Sequence, residues 1–327
     1  MTSSPVSPDV DGSKAAIRRE KRPSKFSETW KGYKKCRYLF LLLTPVLLWY
    51  VVFAYGPLYG IQLAFKDFKM IDGVWSSPWV GVKHFEFLFF QSPDFFKILR
   101  NTIIISFYHI IFGFPAPIVL ALLINEIRLP KFKKITQSLT YLPHFFSWVI
   151  LSGILITLLS PSTGVVNYLI QLAGLEPIYF VGDPNYFRFT LVTSGIWKEV
   201  GWGTIIYLAA LAGISPDLYE AAVMDGANRW KQTLHITLPS ILPVIVLLFI
   251  LRLGSVLDAG FDQVLNLYSP ATYEVADILD TYVYRVGLQN FQFSLTTAVG
   301  LFKNVVAFCL VLFTNFISKK LGQEGLF

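Results

Sequence analysis

Six apolar stretches constrain this chain more than any other feature. They lie near Tyr38–Leu63, Ile98–Ile124, Ile135–Leu159, Phe189–Ile214, Leu238–Leu257 and Phe293–Ile317. A spanning helix needs about 20 apolar residues, and in hydrocarbon only helices and closed barrels satisfy their own backbone. The expected fold is an all-α integral membrane protein with six transmembrane helices. A composition of 54% hydrophobic and only 15% charged residues excludes an ordinary soluble domain. Pro45 and Pro57 fall in the first stretch, Pro115 and Pro117 in the second and Pro143 in the third, which predicts kinks there. The halves do not mirror each other, which disfavours a secondary transporter built on inverted repeats. Three segments are expected: a basic tail, 1–36, a membrane domain, 37–320, and a short C-terminal tail, 321–327. The first apolar run follows a long basic segment and exceeds a signal-peptide core, so no cleavable leader is expected.

Charge sets the orientation. With the N-terminus inside, the inner segments 1–38, 125–137, 214–238 and 318–327 hold 10, 4, 2 and 2 Lys and Arg residues. The outer loops 65–97, 160–188 and 258–292 hold 4, 1 and 1. Eighteen against six predicts a multi-pass chain with both termini in the cytoplasm. The net charge of +7 thus reports orientation and anionic lipid rather than nucleic acid. The outer loops also carry eleven acidic residues and many aromatics, among them Trp75, Trp79, Phe87, Phe89 and Tyr273. Such a surface suits an interfacial belt and the docking of a soluble partner.

One inner connection, 215–239, is too polar to enter a bilayer. Ser215 reads as an N-cap and Pro216 as a first helical residue. Leu218 with Ala222 and Tyr219 with Val223 give a short helix an apolar face. Asp225-Gly226 breaks it, since Gly reaches the left-handed conformation that ends helices. A second short helix, Ala227–His235, puts Trp230 and Leu234 on one side, and Thr237-Leu238-Pro239 restarts the chain as a membrane helix. A helix–Gly–helix on a membrane face is shaped to enter a groove on another protein.

The residues Glu220-Ala221-Ala222, Asp225-Gly226-Ala227, Ile236 and Leu238-Pro239 resemble the EAA loop of ABC importer permeases. Thr233 departs from that pattern, which has an aromatic there; Trp230 or Leu234 supplies the apolar contact instead. Gly81-Val82-Lys83-His84-Phe85, Arg100-Asn101-Thr102, Ala121–Glu126 and Tyr141-Leu142-Pro143-His144 extend the resemblance across about residues 35–320. They match the MalF-type permeases of carbohydrate importers, in the subgroup handling oligo- and polysaccharide fragments. The resemblance implies a six-helix core, a second homologous permease, two ATPase (nucleotide-binding) subunits and an extracytoplasmic solute-binding protein. It implies ATPase coupling through Tyr219, Glu220, Ala221, Ala222, Asp225, Gly226, Ala227 and Trp230.

No GxxxxGK[ST] loop is present, so ATP and its Mg belong to partner subunits and the chain itself needs no cofactor. Neither HExxH, CxxC nor GxSxG occurs. His84, His109, His144 and His235 are scattered, and Cys36 and Cys309 form neither a disulfide framework nor a metal site. An enzyme is disfavoured, and no catalytic residue or metal ligand is assigned. Four charges lie within the spans: Lys198, Glu199, Arg252 and Lys303. At about 1.5 Å per residue they fall near the midplane or in the outer half. Charges there face a cavity or a partner. Two readings stay open, a structural ion-pair network around Glu199 and a polar passage flanked by Trp197 and Trp202. Sugars suit such a passage, because hydroxyls hydrogen-bond to charged groups and CH faces stack on rings. Three cations against one carboxylate suit an anionic, uronate-bearing oligosaccharide as a transient partner; a neutral oligosaccharide can also pass, with waters and backbone carbonyls satisfying the cations. The rival class is a stand-alone ion-coupled carrier or channel for small polar solutes, which has no use for a cytosolic plug shaped like 215–239.

Overall fold

The computed structural model describes residues 37–320, and the two expected tails lie outside the described residues. Two compact units are distinguished, one reaching to Tyr59 and one beginning at Gly60. In the first, an α-helix, Arg37–Trp49, passes into a π-helical turn, Tyr50–Tyr55. A run of 3-10 turns, Gly56–Phe65, follows and holds the boundary residue Gly60. We number the main elements along the chain: α1 Arg37–Phe65, α2 Phe95–Glu126, α3 Pro130–Phe145, α4 Trp148–Leu158, α5 Val165–Leu172, α6 Pro184–Ala212, α7 Pro216–Met224, α8 Arg229–Gly254, α9 Phe261–Leu267 and α10 Phe293–Lys320.

The described residues are helical, with one isolated backbone bridge between Lys66 and Trp79. Helices α1, α2, α8 and α10 are long and apolar enough to cross a membrane, and α3 with α4 makes a fifth if the bent pair is one span. The fourth expected span, Phe189–Ile214, lies largely within α6, a helix of 29 residues. Its length suffices, but Arg188, Lys198 and Glu199 dilute its apolar character.

Two local expectations change. The expected third span, Ile135–Leu159, is broken: α3 and α4 meet at 105°. Pro143 lies in a 3-10 turn, Leu142–Phe145, and Ser147 then caps α4 by accepting from the Ile150 amide at 3.4 Å. Pro143 thus ends a helix where a kink was expected. Conversely, the expected restart at Thr237-Leu238-Pro239 is found, as the α-helical segment Leu238–Gly254, but without a break before it. α8 runs on from Arg229 to Gly254 through a π-helical turn, Thr233–Thr237. The extra residue of a π turn leaves Pro239 near the start of a new α-helical segment, where its missing N–H costs little. In α2 a second π turn, His109–Gly113, precedes Pro115 and Pro117 in the same way.

Packing between spans rests on close approach rather than on the hydrophobic effect, since lipid tails are as apolar as the side chains. At Gly201 of α6 a methyl group would overlap the Thr140 carbonyl of α3, and at Gly203 it would press on Pro117 of α2. Three clusters of buried side chains follow: Phe95, Ile98, Leu279 and Leu295 at one end, Ile105, Phe187, Leu191 and Val264 next, and Ala121, Tyr207, Leu211 and Ile241 towards the 215–239 connection.

Candidate functional site

The connection 215–239 folds as a hairpin of helices. Ser215 Oγ accepts from the Asp217 amide at 3.3 Å, and Pro216 opens α7. The end of α7 is a Schellman motif. Gly226 has φ +74°, its N–H donates to the Val223 carbonyl at 3.0 Å, and the Ala227 N–H donates to Ala222 at 2.8 Å. Asn228 then caps α8, its Oδ1 accepting from the Lys231 amide at 2.9 Å. Two bonds close the hairpin: Tyr219 to Thr237 through their hydroxyls at 3.0 Å, and the Gln232 amide to the Ala227 carbonyl at 2.9 Å. Arg229 pairs with Glu126 and so fixes the hairpin to the end of α2. Glu220, Ala221 and Asp225 are exposed, while Ala222 and Ala227 are half-buried. Leu218, Val223, Met224 and Trp230 leave an apolar surface uncovered, with Met224 87% and Trp230 68% exposed. Thr233 turns inward, its hydroxyl donating to the Arg229 carbonyl at 3.0 Å.

A cavity of about 630 Å³ lies among α2, α4, α6, α8 and the segment leading into α9. Of the six passage candidates, Glu199, Trp202 and Arg252 line it, whereas Trp197, Lys198 and Lys303 do not. Lys198 is buried behind the wall. Its Nζ donates to the His144 carbonyl at 3.0 Å and to Glu199 at 3.1 Å, and lies 5.7 Å from the centre of the Trp148 ring. His144 Nδ1 donates to Glu199 at 2.8 Å, and its ring stacks on Trp202 at 4.5 Å. The carboxylate is therefore held from two sides, and the Trp202 face is fixed by the imidazole.

On the opposite wall Lys303 bridges two carboxylates, Asp258 and Asp280, the latter at 2.6 Å. The expected surplus of positive charge is thereby corrected: Lys198, Arg252 and Lys303 face Glu199, Asp258 and Asp280. Both acids of Lys303 belong to a loop counted as outer, so linear distance along the helix concealed the pairing. Sequence reasoning also missed His109, Asp258 and Gln263 as cavity-lining residues. A polar group inside an apolar run ahead of two prolines was the available signal for His109; Gln263, which donates to the Leu191 carbonyl at 2.7 Å and to Ser194 at 2.9 Å, had none.

The other motif residues are anchors. Asn101 is fully buried. Its amide donates to the carbonyls of Glu274 and Asp277 at 2.9 and 3.2 Å, and its Oδ1 accepts from Arg188 at 2.9 Å. Thr102 accepts from the Leu279 amide at 2.9 Å. Arg285 forks onto Asp277, whose hydrogen bonds raise the guanidinium pKa above its ordinary value. His84 donates through Nε2 to the Lys66 carbonyl at 3.0 Å. Among the described residues no group of three His, Cys, Asp or Glu side chains is placed to hold a metal ion.

The model of the family described as "Binding-protein-dependent transport system inner membrane component" matches residues 95–323. Protein LplB of Bacillus subtilis (strain 168) is 47% identical over 294 residues, 90% of this chain and 92% of that protein. The polygalacturonan/rhamnogalacturonan transport system permease protein YteP of the same organism is 46% identical, over 89% of this chain and 90% of its own length. Among solved structures, a chain of a bacterial alginate ABC transporter in complex with an alginate pentasaccharide-bound periplasmic protein superposes with a TM-score of 0.84. It is 44% identical over 91% of this chain and 99% of its own.

Proposed function

The chain belongs to the family of inner membrane components of binding-protein-dependent transport systems, and from that premise we propose that it is the transmembrane subunit of an ATP-driven importer moving acidic oligosaccharides into the cytoplasm. One observation carries the substrate class. A relative 46% identical is a polygalacturonan/rhamnogalacturonan permease, and a structural neighbour 45% identical imports the acidic polysaccharide alginate. Charge surplus no longer supports it, because the passage is electrically balanced. What the cavity offers instead is one guanidinium, Arg252, on its surface, beside carboxylates already engaged by Lys198 and Lys303. Arg252 can take a uronate carboxylate, and the fixed Trp202 ring can stack on a sugar face.

In this reading the membrane domain has six spans, α6 being the fourth, with both termini and the hairpin 215–239 in the cytoplasm. The hairpin enters a groove of one of two ATPase subunits, which hold ATP and Mg. A second homologous permease completes the passage, and an extracytoplasmic solute-binding protein delivers the sugar. Closure of the ATPase pair shifts the equilibrium between inward- and outward-facing states by gripping the hairpin differently in each. The apolar surface of Leu218, Val223, Met224 and Trp230 supports this role, as does the Arg229–Glu126 pair that ties the hairpin to a span. The test is uptake of trigalacturonate into proteoliposomes holding the assembled complex and its binding protein. Uptake that requires ATP and the binding protein is expected. Uptake driven by an ion gradient without ATP would instead identify a stand-alone carrier.

A further inference from the structure

A second cavity, of about 350 Å³, opens where α10 begins and shares no lining residue with the first. Its walls are Asp67-Phe68, Lys83, His84 and Phe87, and Phe291–Leu295. Ser294 builds it: its Oγ donates to the Lys66 carbonyl at 2.7 Å and accepts from the Phe68 amide at 3.0 Å, so two distant segments are fixed on one another. His84 adds a bond to that same carbonyl, which must accept, so Nε2 carries the proton and Nδ1 is left as an acceptor in the neutral ring. Phe68 and Phe291 each meet Phe293 edge to face, with centroids 5.9 and 6.1 Å apart, so each contact covers one ring face and leaves the others for stacking.

Phe291 is the residue that makes the cavity unusual. Among the described residues it is the only non-glycine with positive φ, at +57°, and its side chain is 64% exposed. An L-residue is held in the left-handed region, and the result is an aromatic ring in solvent at the mouth of a polar-edged pocket. Strain of this kind is kept where the surroundings over-determine it, at ligand clamps among other places.

We propose that this cavity is a binding site for one sugar ring of an oligosaccharide, distinct from the passage and meeting the chain before it. The proposal rests on the oligosaccharide reading above. Phenyl faces take the CH side of the ring, while Asp67, Lys83, His84 and Gln292 around the rim exchange hydrogen bonds with its hydroxyls. The rim decides against an apolar side chain of the binding protein as occupant, since such an anchor would bury those four polar groups without partners. Because Lys83 and Asp67 offset each other, recognition here is by ring and hydroxyl rather than by net charge.

The experiment uses the assembled transporter in nanodiscs, with trigalacturonate as probe and saturation-transfer NMR in the absence of binding protein. The variants are Phe291→Gly, which removes the ring and suits the backbone, and Phe291→Tyr, which keeps the ring and the strain. Phe291→Gly is expected to remove part of the saturation signal and to raise the KM of uptake about tenfold, the scale of one lost stacking contact. It leaves maximal uptake and basal ATPase activity unchanged, and Phe291→Tyr restores the wild-type KM. Transport of the probe with no Phe291-dependent signal overturns the site and leaves the transport reading standing. A Phe291-dependent signal without transport supports the site and overturns that reading. A raised KM that tracks weaker docking of sugar-free binding protein also overturns the site, by making Phe291 a protein contact.

Discussion

At the scale of single residues, the structure turns on places where a side chain is either missing or doubly held. Gly201 is of the first kind. A methyl group there meets the backbone carbonyl of Thr140, which cannot rotate away, so α3 and α6 must separate. Gly201→Ala should cost about 1–3 kcal/mol, read as a lower unfolding temperature of the purified subunit. Gly153→Ala, inside α4 with nothing within 4 Å of the added methyl, should raise that temperature slightly, since Ala favours a helix interior over Gly. Asp277 is of the second kind. Its side chain is only 5% exposed and is neutralised by Arg285. Arg285→Ala strands a buried carboxylate and should cost about 3–5 kcal/mol in the same measurement, with Arg285→Lys recovering part of it. Neither constraint was legible beforehand. A glycine in an apolar run carries no sign of what it will touch, and Asp277 reads in sequence as one more outer-loop acid.

Elements were more legible where local chemistry alone decides them. The first helix of the 215–239 hairpin follows from Ser215, Pro216 and Gly226, because N-cap, first-turn proline and left-handed glycine act within a few residues of one another. The second helix was misread at its far end. Whether a proline breaks a helix depends on the turn before it, and a π turn placed Pro239 where α8 tolerates it, while Pro143 ended α3 outright. α8 is continuous from Arg229 to Gly254, so under the proposed coupling role one helix joins the hairpin to Arg252 at the cavity wall. The reversal at Gly226 has open space around its Cα but a φ of +74°, so Gly226→Val strains the backbone without a clash. The variant should lose at least tenfold in transport while ATP hydrolysis by the complex persists, measured in parallel on the same proteoliposomes. Equal transport by variant and wild type would deny the hairpin its coupling role.

For the whole molecule, two questions remain joined: which way the chain faces and what its charges are for. In a background with Cys36 and Cys309 replaced by serine, a cysteine at Asn228 should react with an impermeant maleimide only in inverted vesicles, and one at Asn185 only in intact cells. The opposite pattern would reverse every outer and inner assignment made from the lysine and arginine bias. The charges divide into two classes that the linear sequence merged. Lys303 is a strut, clamped between Asp258 and Asp280, so Lys303→Gln leaves two carboxylates close together with no cation between them. That variant should lower the yield of assembled complex, and the loss should be recovered by the double change Lys303→Gln with Asp258→Asn. Arg252 lines the cavity and makes no salt bridge among the described residues. Arg252→Gln keeps a hydrogen-bonding side chain of similar reach and removes the charge. If the passage takes an acidic sugar, this variant should assemble normally and hydrolyse ATP, yet its KM for trigalacturonate should rise by a factor of about 10–100, as expected for a charge-assisted bond of ~1.5–3 kcal/mol. Its KM for the fully methyl-esterified trisaccharide should stay near the wild-type value for that ester. Equal effects on both sugars would mean that Arg252 shapes the passage without reading charge, and the acidic-substrate assignment would then rest on the relatives alone.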